Sequence, residues 1–320
     1  DSKEYRTEKM VERLKTMTPC QILHLQEVWS SNQAKYFLKN LENYEKTSAP
    51  NLKFRLGLMG FYKGRGLGSQ THIFPLNNDG GLLDGLRESF SVLKGFQVES
   101  IQLGKSEEPV YFLNTHLHPT SVGVRLAQIL ELYSWRRQHP QQKVILTGDF
   151  NFEAKSLEKR ILMILFGLQD SAEQVIEGYP HKICTYCHEN PLRWLSGNHI
   201  FDYIFYSNRG GHPQKKLTPL RGEVNFKADD GEFLSDHYGL RIQFQWSPLN
   251  NSENGFSQKV MSPNENQQVL KDLMIMNKIL RNEPDYFIHY QKQAESIYRS
   301  FLEKQGEAWE FYLNNNSNVL

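Results

Sequence analysis

Apolar side chains recur along the chain with two different periods. Tyr5, Met10, Val11, Leu14 and Met17 fall at near-helical intervals among Arg and Lys, which predicts an amphipathic helix over residues 1–18. Cys20-Gln-Ile-Leu-His-Leu-Gln-Glu27 switches to alternation and predicts a strand ending at Glu27, with a second helix over about Asn32 to Leu41. Residues 50–85 are crowded with glycine among Leu, Phe and Ile and read as short strands and tight loops. Between Phe90 and Leu113 the period is two, as in paired strands: Phe96 and Val98, then Val110 and Phe112. Val124 to Arg137 puts Leu126, Ile129, Leu130 and Leu132 on one side of a helix. Lys143-Val-Ile-Leu-Thr147 reads as a buried strand running into Gly148-Asp-Phe-Asn151, and Leu157 to Phe166 as a helix. Residues 177–200 read as a long loop, Phe201 to Tyr206 as a strand, and Gly239 to Trp246 as a last strand of strict alternation. Short strands with helices scattered between them predict two packed sheets with helices outside.

Composition shifts at Pro248. Residues 249–266 are rich in Asn, Ser and Gly and read as a linker. Residues 265–313 then hold two helical stretches broken near Pro284, one using Val269, Leu270, Leu273, Met274 and Leu280, the other Tyr290, Ala294, Ile297, Phe301 and Leu302. They fit an antiparallel hairpin that packs on the main body or on a partner. The expected division is a main domain over residues 1–248, followed by a linker and C-terminal helical hairpin over 249–320.

Charge narrows the function classes. Lys+Arg is 37 and Asp+Glu 36 in 320 residues, a formal net charge of +1. That balance excludes a strongly basic nucleic-acid coat protein and an acidic tail protein, and leaves room for an enzyme that contacts a few phosphates in one cleft. No run of 18 apolar residues exists, so no transmembrane segment is expected. No signal-peptide pattern is present, and the chain opens at Asp1. Of three cysteines, Cys184 and Cys187 form a lone C-x-x-C that reads as a loop disulfide or two plain thiols. A zinc knuckle with the flanking His181 and His188 is the alternative.

Acids, amides and histidines gather where apolar strands give way to polar loops: Leu25-Gln-Glu27-Val-Trp29, Asn114-Thr-His116-Leu-His118, Thr147-Gly-Asp149-Phe-Asn151, Phe201-Asp202-Tyr203 and Leu234-Ser-Asp236-His237. A rigid strand holds a polar group at the mouth of a cleft in that position. Each stretch also has a plain reading: a solvated Glu, an Asx turn in Gly-Asp-Phe-Asn, a chance Asp-His pair. Their recurrence in this order carries the argument.

The stretches resemble the endonuclease/exonuclease/phosphatase superfamily over about residues 4–246, most specifically in Leu25-Gln-Glu27-Val-Trp29, Gly148-Asp-Phe-Asn151 and Ser235-Asp-His237. Lys94-Gly95-Phe96 fits a strand of that family. Gln-Glu-Val-Trp-Ser and Thr-His-Leu-His, followed by a helix with Arg125 and Gln128, are similar to its neutral sphingomyelinases. The resemblance implies a four-layer α/β sandwich and a divalent metal, Mg²⁺ or Mn²⁺, at one end. It implies that Glu27 binds the metal with Asp236 beside the metal water, that Asp149 orients or deprotonates the attacking water, and that Asn151 and His116 donate to phosphoryl oxygens. His237 becomes the general base or transition-state stabiliser, its other ring nitrogen held by Asp202. The family's first-strand Asn has no counterpart, and that strand is expected upstream of residue 1. Residues 56–90 also depart from the family's Gly-Leu-x-Ile-x-Ser pattern.

The implied activity is metal-dependent hydrolysis of sphingomyelin or a related phospholipid to phosphocholine and ceramide, in a secreted or peripheral membrane setting. A Mg²⁺-dependent nuclease and a catalytically inactive binding protein are the rivals. Action at a lipid surface calls for exposed apolar side chains near the cleft. Two segments are proposed for it: Leu56-Gly-Leu-Met-Gly-Phe-Tyr62, and Pro191-Leu-Arg-Trp194-Leu195, where Trp194 is the expected substrate contact. Trp194 beside Arg193 suits a choline headgroup or a stacked base equally.

Overall fold

The computed structural model describes residues 3–17, 19–46, 56–76, 93–104, 108–208, 215–227, 231–248 and 263–316. Four strands set its centre: β5 (Gly95–Gln102), β6 (Val110–His116), β7 (Lys143–Asp149) and β9 (Asp202–Ser207). Each alternates, so each has two buried faces of different character. Phe96, Val98, Leu113, Val144, Leu146, Tyr203 and Phe205 enter one core, while Ile101, Val110, Phe112, Ile145 and Tyr206 enter another on the opposite side. With β4 (Arg65–Ile73) and β8 (Gln169–Asp170) they form a six-stranded sheet in the order β4-β5-β6-β7-β9-β8. Its one parallel pair, β6 with β7, is joined by helix α3 (Val122–Gln138), as a parallel crossover requires.

Helices α3 and α4 (Leu157–Phe166) cover the first face. The second face receives Ile22 of β1 (Ile22–Leu25), Tyr62 of β3 (Met59–Tyr62), Leu217 of β10 (Lys215–Asn225), and Phe244 and Trp246 of β11 (Gly239–Pro248). These belong to a three-stranded sheet, β1-β3-β2 with β2 at Glu45–Lys46, and to the ribbon β10-β11. On the outside of β3, Met59 and Phe61 pack with Val11 of α1 (Lys3–Thr16) and with Ala34 and Phe37 of α2 (Ser31–Asn40). The result is a four-layer α/β sandwich. A short helix α5 (Ala172–Val175) follows β8.

C-terminal helices α6 (Pro263–Arg281) and α7 (Ile288–Asn316) extend the helical layer. Leu273, Met276, Leu280, Phe287, Tyr290 and Ala294 join the same core as α3 and α4. Asp272, fully buried on α6, accepts from Arg160 Nε at 2.7 Å and Nη2 at 2.9 Å, and Tyr290 donates to Glu131 at 2.9 Å.

Three sequence expectations change here. Strand β10 was not anticipated, because Lys-Lys-Leu-Thr-Pro-Leu-Arg-Gly lacks clean alternation. Its register shifts between Pro219 and Arg221, a bulge that accommodates the proline. Leu56, Leu58, Met59 and Phe61 are at most 3% exposed, so the first segment proposed for lipid contact is core. The Cys184–Cys187 disulfide closes, which removes the thiolates a zinc knuckle would need. The linker over residues 249–262 and the glycine-rich stretch 77–85 lie outside the described residues.

Leu273 has no exposed surface. Leu273→Ala should therefore lower the unfolding free energy of the whole chain by about 2–5 kcal/mol. Urea denaturation followed by tryptophan fluorescence and by far-ultraviolet circular dichroism should give one coincident, weakened transition. Two separate transitions would mean that the helical hairpin is a detachable unit.

Candidate active site

One lateral row crosses the large sheet at its edge. Gly95 pairs with His116, His116 with Asp149, and Asp149 with Asp202. Strands β6 and β7 end at this edge while the antiparallel β5 and β9 begin there, so four chain segments deliver polar groups to the same place. Gly148 makes the row possible. Its φ is +148°, and a Cβ there would sit 2.0 Å from the Thr115 carbonyl oxygen.

The smaller sheet adds Glu27 from just beyond β1. Asn114 anchors that end: its amide donates to the carbonyls of Leu25 at 3.1 Å and Met59 at 3.2 Å, and its oxygen accepts from Gln26 at 2.6 Å. Glu27 then turns with φ 59°, and the Val28 amide donates to the Gly57 carbonyl at 2.9 Å. A left-handed residue other than glycine is a strained backbone that such anchoring must hold. Glu27 is exposed, its charge acts on Lys94, and its carboxylate accepts no hydrogen bond from the described residues.

At the row, His237 donates from Nδ1 to Asp202 Oδ2 at 2.8 Å, with Nε2 3.9 Å from Asp149 Oδ2. Asp149 Oδ2 also lies 3.4 Å from His116 Nε2. Lys94, just before β5, places Nζ 3.0 Å from Nδ1 and 2.7 Å from Nε2 of His116, and 5.8 Å from the centre of the Trp29 ring. Burial opposes charge on all four groups, and their mutual fields decide the outcome. His237 lies well above the ordinary imidazole range: burial works against it, but Asp202, Asp149 and more weakly Asp236 hold the proton. His116 lies well below that range through burial and the neighbouring Lys94 and His237. Asp149 is pushed up to about 7 by burial, with Asp202 adding and His237 and Lys94 opposing. Lys94 is pushed down to about 8 by burial, against the pull of Asp149 and Glu27.

The arrangement brings His116, Asp149, Asn151, Asp202 and His237 together. Asn151, at φ 53°, closes an Asx turn in which its amide donates to Asp149 Oδ1 at 2.9 Å, while its side chain donates to the Leu117 carbonyl at 3.0 Å. His116, expected to donate toward phosphoryl oxygens, is 2% exposed and has its ring engaged by Lys94 and Asp149. Asp236 is half-buried and accepts from Ser235 at 3.4 Å. Trp194 lies on the 177–200 loop, 73% exposed, next to the exposed Leu192 and Leu195. Lys94 is the participant that sequence reading missed. The signal available was a lysine opening a strand opposite a histidine.

Asp149, Asp202 and His237 have donor atoms within 4.8 Å of one another, the spacing of a cation site. A doubly protonated His237 has no lone pair to offer, so in this state the trio is an ion-paired clasp. A hard divalent cation takes oxygen ligands, keeps several waters and needs one or two carboxylates. Glu27 fits that need, and the raised pKa of Asp149 marks a buried carboxylate that an added positive charge would relieve.

The model of the Endonuclease/Exonuclease/phosphatase family matches residues 5–237. No protein of curated function matches this chain in sequence. Among solved structures, zebrafish (D. rerio) TDP2 complexed with a single-strand DNA product superposes with a TM-score of 0.58 at 20% identity, covering 75% of this chain and 91% of that one. Sphingomyelinase C from Streptomyces griseocarneus gives 0.56 at 16% identity, covering 78% and 92%. The mannosyl-6-phosphatase of Bacteroides thetaiotaomicron gives 0.56 at 14%, covering 76% and 92%. At these identities the likeness establishes the shared fold.

The buried carboxylate has a consequence for stability. Between the ordinary carboxylate value of 3.8 and about 7, native Asp149 holds a proton that the unfolded chain has released, so stability falls as pH rises through that window. Asp149→Asn keeps the acceptor for the Asn151 amide and removes the cost. In EDTA at pH 8 the variant should be more stable than the parent by about 1–3 kcal/mol, with the gain vanishing near pH 4. Urea midpoints at the two pH values measure it; a variant that is less stable at pH 8 contradicts the electrostatic reading.

Proposed function

The chain belongs to the endonuclease/exonuclease/phosphatase family, whose members hydrolyse phosphodiesters or phosphate esters, and we propose that this protein is a divalent-metal-assisted phosphodiesterase acting on sphingomyelin or a related choline phospholipid. The observation that carries the proposal is the His116–Asp149–Asp202 row capped by a protonated His237. With Lys94 behind His116, it places a base, an acid and two basic side chains around one small volume.

In this reading Asp149 takes a proton from water as the oxygen attacks phosphorus. The bond from phosphorus to the ceramide oxygen breaks, the His237 imidazolium gives that oxygen its proton, and phosphocholine and ceramide are released. The His237 imidazolium donates to the oxygen on which negative charge grows, and Asp202 keeps that ring oriented and charged. Asn151 has a second side-chain N–H for a phosphoryl oxygen. Lys94, passed through the neutral His116, balances the ionised Asp149. A divalent cation held by Glu27, with Asp236 as the second oxygen donor, would neutralise phosphoryl charge as a Lewis acid.

The lipid assignment is supported by the tip Leu192, Trp194 and Leu195, whose exposed apolar area flanks Arg193. No helix among the described residues is long and apolar enough to cross a membrane, so contact would be peripheral. The substrate is met at the surface of the bilayer.

With Mg²⁺, sphingomyelin vesicles should release phosphocholine while plasmid DNA stays intact, and EDTA should stop turnover. Nicked plasmid with no phosphocholine, and a rate falling steeply with salt, would move the assignment to a nuclease. Silence on both substrates would reject the sphingomyelin assignment and leave a different phosphoester or a binding protein. His237→Ala should lower kcat by about 10²–10⁴-fold with Mg²⁺ affinity retained. Glu27→Gln should cut turnover by orders of magnitude and weaken the response to Mg²⁺; a parent-like Mg²⁺ titration would remove Glu27 from the metal site.

A further inference from the structure

The Asp202–His237 pair joins chain segments 35 residues apart, and one residue outside the row bonds to both. Thr185, 1% exposed, lies between the bridged Cys184 and Cys187. Its Oγ1 accepts from two successive amides, Phe201 at 3.1 Å and Asp202 at 3.3 Å. Its carbonyl accepts from the amide of Tyr238, the residue after His237, at 2.7 Å. Tyr186 follows it and is equally buried. The Tyr186 ring stands edge-on to the His237 ring with centroids 5.0 Å apart, and its hydroxyl oxygen accepts from the amides of Trp194 at 2.6 Å and Leu195 at 2.9 Å.

We infer that Thr185 is a positioning residue for the Asp202–His237 pair, and that the Cys184–Cys187 disulfide holds it in place. The inference rests on the phosphodiesterase reading and adds a residue to its machinery. The physical case is one of anchoring. Residues 177–200 contain no helix or strand, and the backbone around Thr185 is held by a few bonds: the Thr185 and Tyr186 amides donate to the His199 carbonyl at 2.9 and 3.0 Å, and the His199 amide to the Tyr186 carbonyl at 2.8 Å. A four-residue ring closed by a disulfide restricts that segment. Its threonine hydroxyl then spans two amides that no strand partner serves at the start of β9. A shift there moves Asp202, and with it the ring that Asp202 orients. Misplacement of a reacting group by about 1 Å can cost about a hundredfold in rate.

The test compares the parent, Thr185→Val, Thr185→Ser and Cys20→Ser on sphingomyelin vesicles with Mg²⁺. Valine keeps the shape of threonine and loses the acceptor; serine keeps the acceptor. Thr185→Val should lose about tenfold to a hundredfold in kcat at little changed KM. Thr185→Ser should restore most of the rate. A dithiol reductant, which opens the bridge to two thiols and is itself oxidised to a disulfide, should lower kcat of the parent and of Cys20→Ser alike. Reoxidation should restore both. Amide hydrogen exchange supplies a readout independent of turnover: protection at Phe201 and Asp202 should drop in Thr185→Val and persist in Thr185→Ser. If the parent hydrolyses no phosphodiester, the functional reading fails and exchange alone judges the clasp. Parent-like kcat in Thr185→Val, unchanged protection at those amides, or indifference of the parent to reduction would overturn the inference. Should Thr185→Val fail to fold, reduction of the folded parent decides the question.

Discussion

The hydrogen bond from His237 to Asp202 is 2.8 Å long, and the imidazole that makes it is only 23% exposed. Burial at that depth would ordinarily strip a histidine of its charge. Two carboxylates within reach reverse the outcome, and the rest of the site follows from that reversal. A charged His237 tempers the field on Asp149 and helps keep His116 neutral. The neutral His116 in turn lets Lys94 approach within hydrogen-bond distance instead of repelling it. Remove the proton from His237 and Asp149, paired with Asp202 across β7 and β9, loses that relief.

Placing so many ionisable groups together is costly unless the scaffold leaves them no alternative. The sheet register does this. Four strand ends share one row, and two of the groups, His116 and Asp149, are direct lateral neighbours on parallel strands that a single helix connects. The second sheet is tied to the row through Asn114, which bonds to the ends of β1 and β3 and so fixes where Glu27 emerges. The C-terminal hairpin acts at a distance from the chemistry. It completes the helical layer behind α3 and α4, where Arg125 of α3 bonds to Glu158 and to the His118 carbonyl. The loop that follows His116 therefore rests on that layer.

Much of this was legible in the residues. Helices α3 and α4 and the buried strand β7 follow from periodicity, because their apolar faces meet a large core and nothing competes with it. Asp149, Asp202 and His237 stood out because each follows or opens an apolar strand, where a polar side chain must have a purpose. Other features were hidden for physical reasons. Strand β10 contains Pro219 and Gly222, and the structure absorbs both through a bulge and a close approach of Ile176 and Ile242. The segment from Leu56 to Tyr62 is apolar enough to suit either a membrane or a core, and composition alone does not separate the two. Lys94 and Thr185 act through tertiary contacts with residues 22 and 17 positions away, and no local pattern marks them.

The division of charge between the two histidines is the centre of the account, and ring-nitrogen NMR reads it directly. With ¹⁵N-labelled protein in EDTA, the Nδ1 and Nε2 shifts of His237 and His116 are followed from pH 5 to pH 9. His237 should keep both ring protons through neutral pH while His116 stays neutral down to the acid end of the range. Two histidines titrating together near the ordinary imidazole value, or a neutral His237 beside a charged His116, would contradict it.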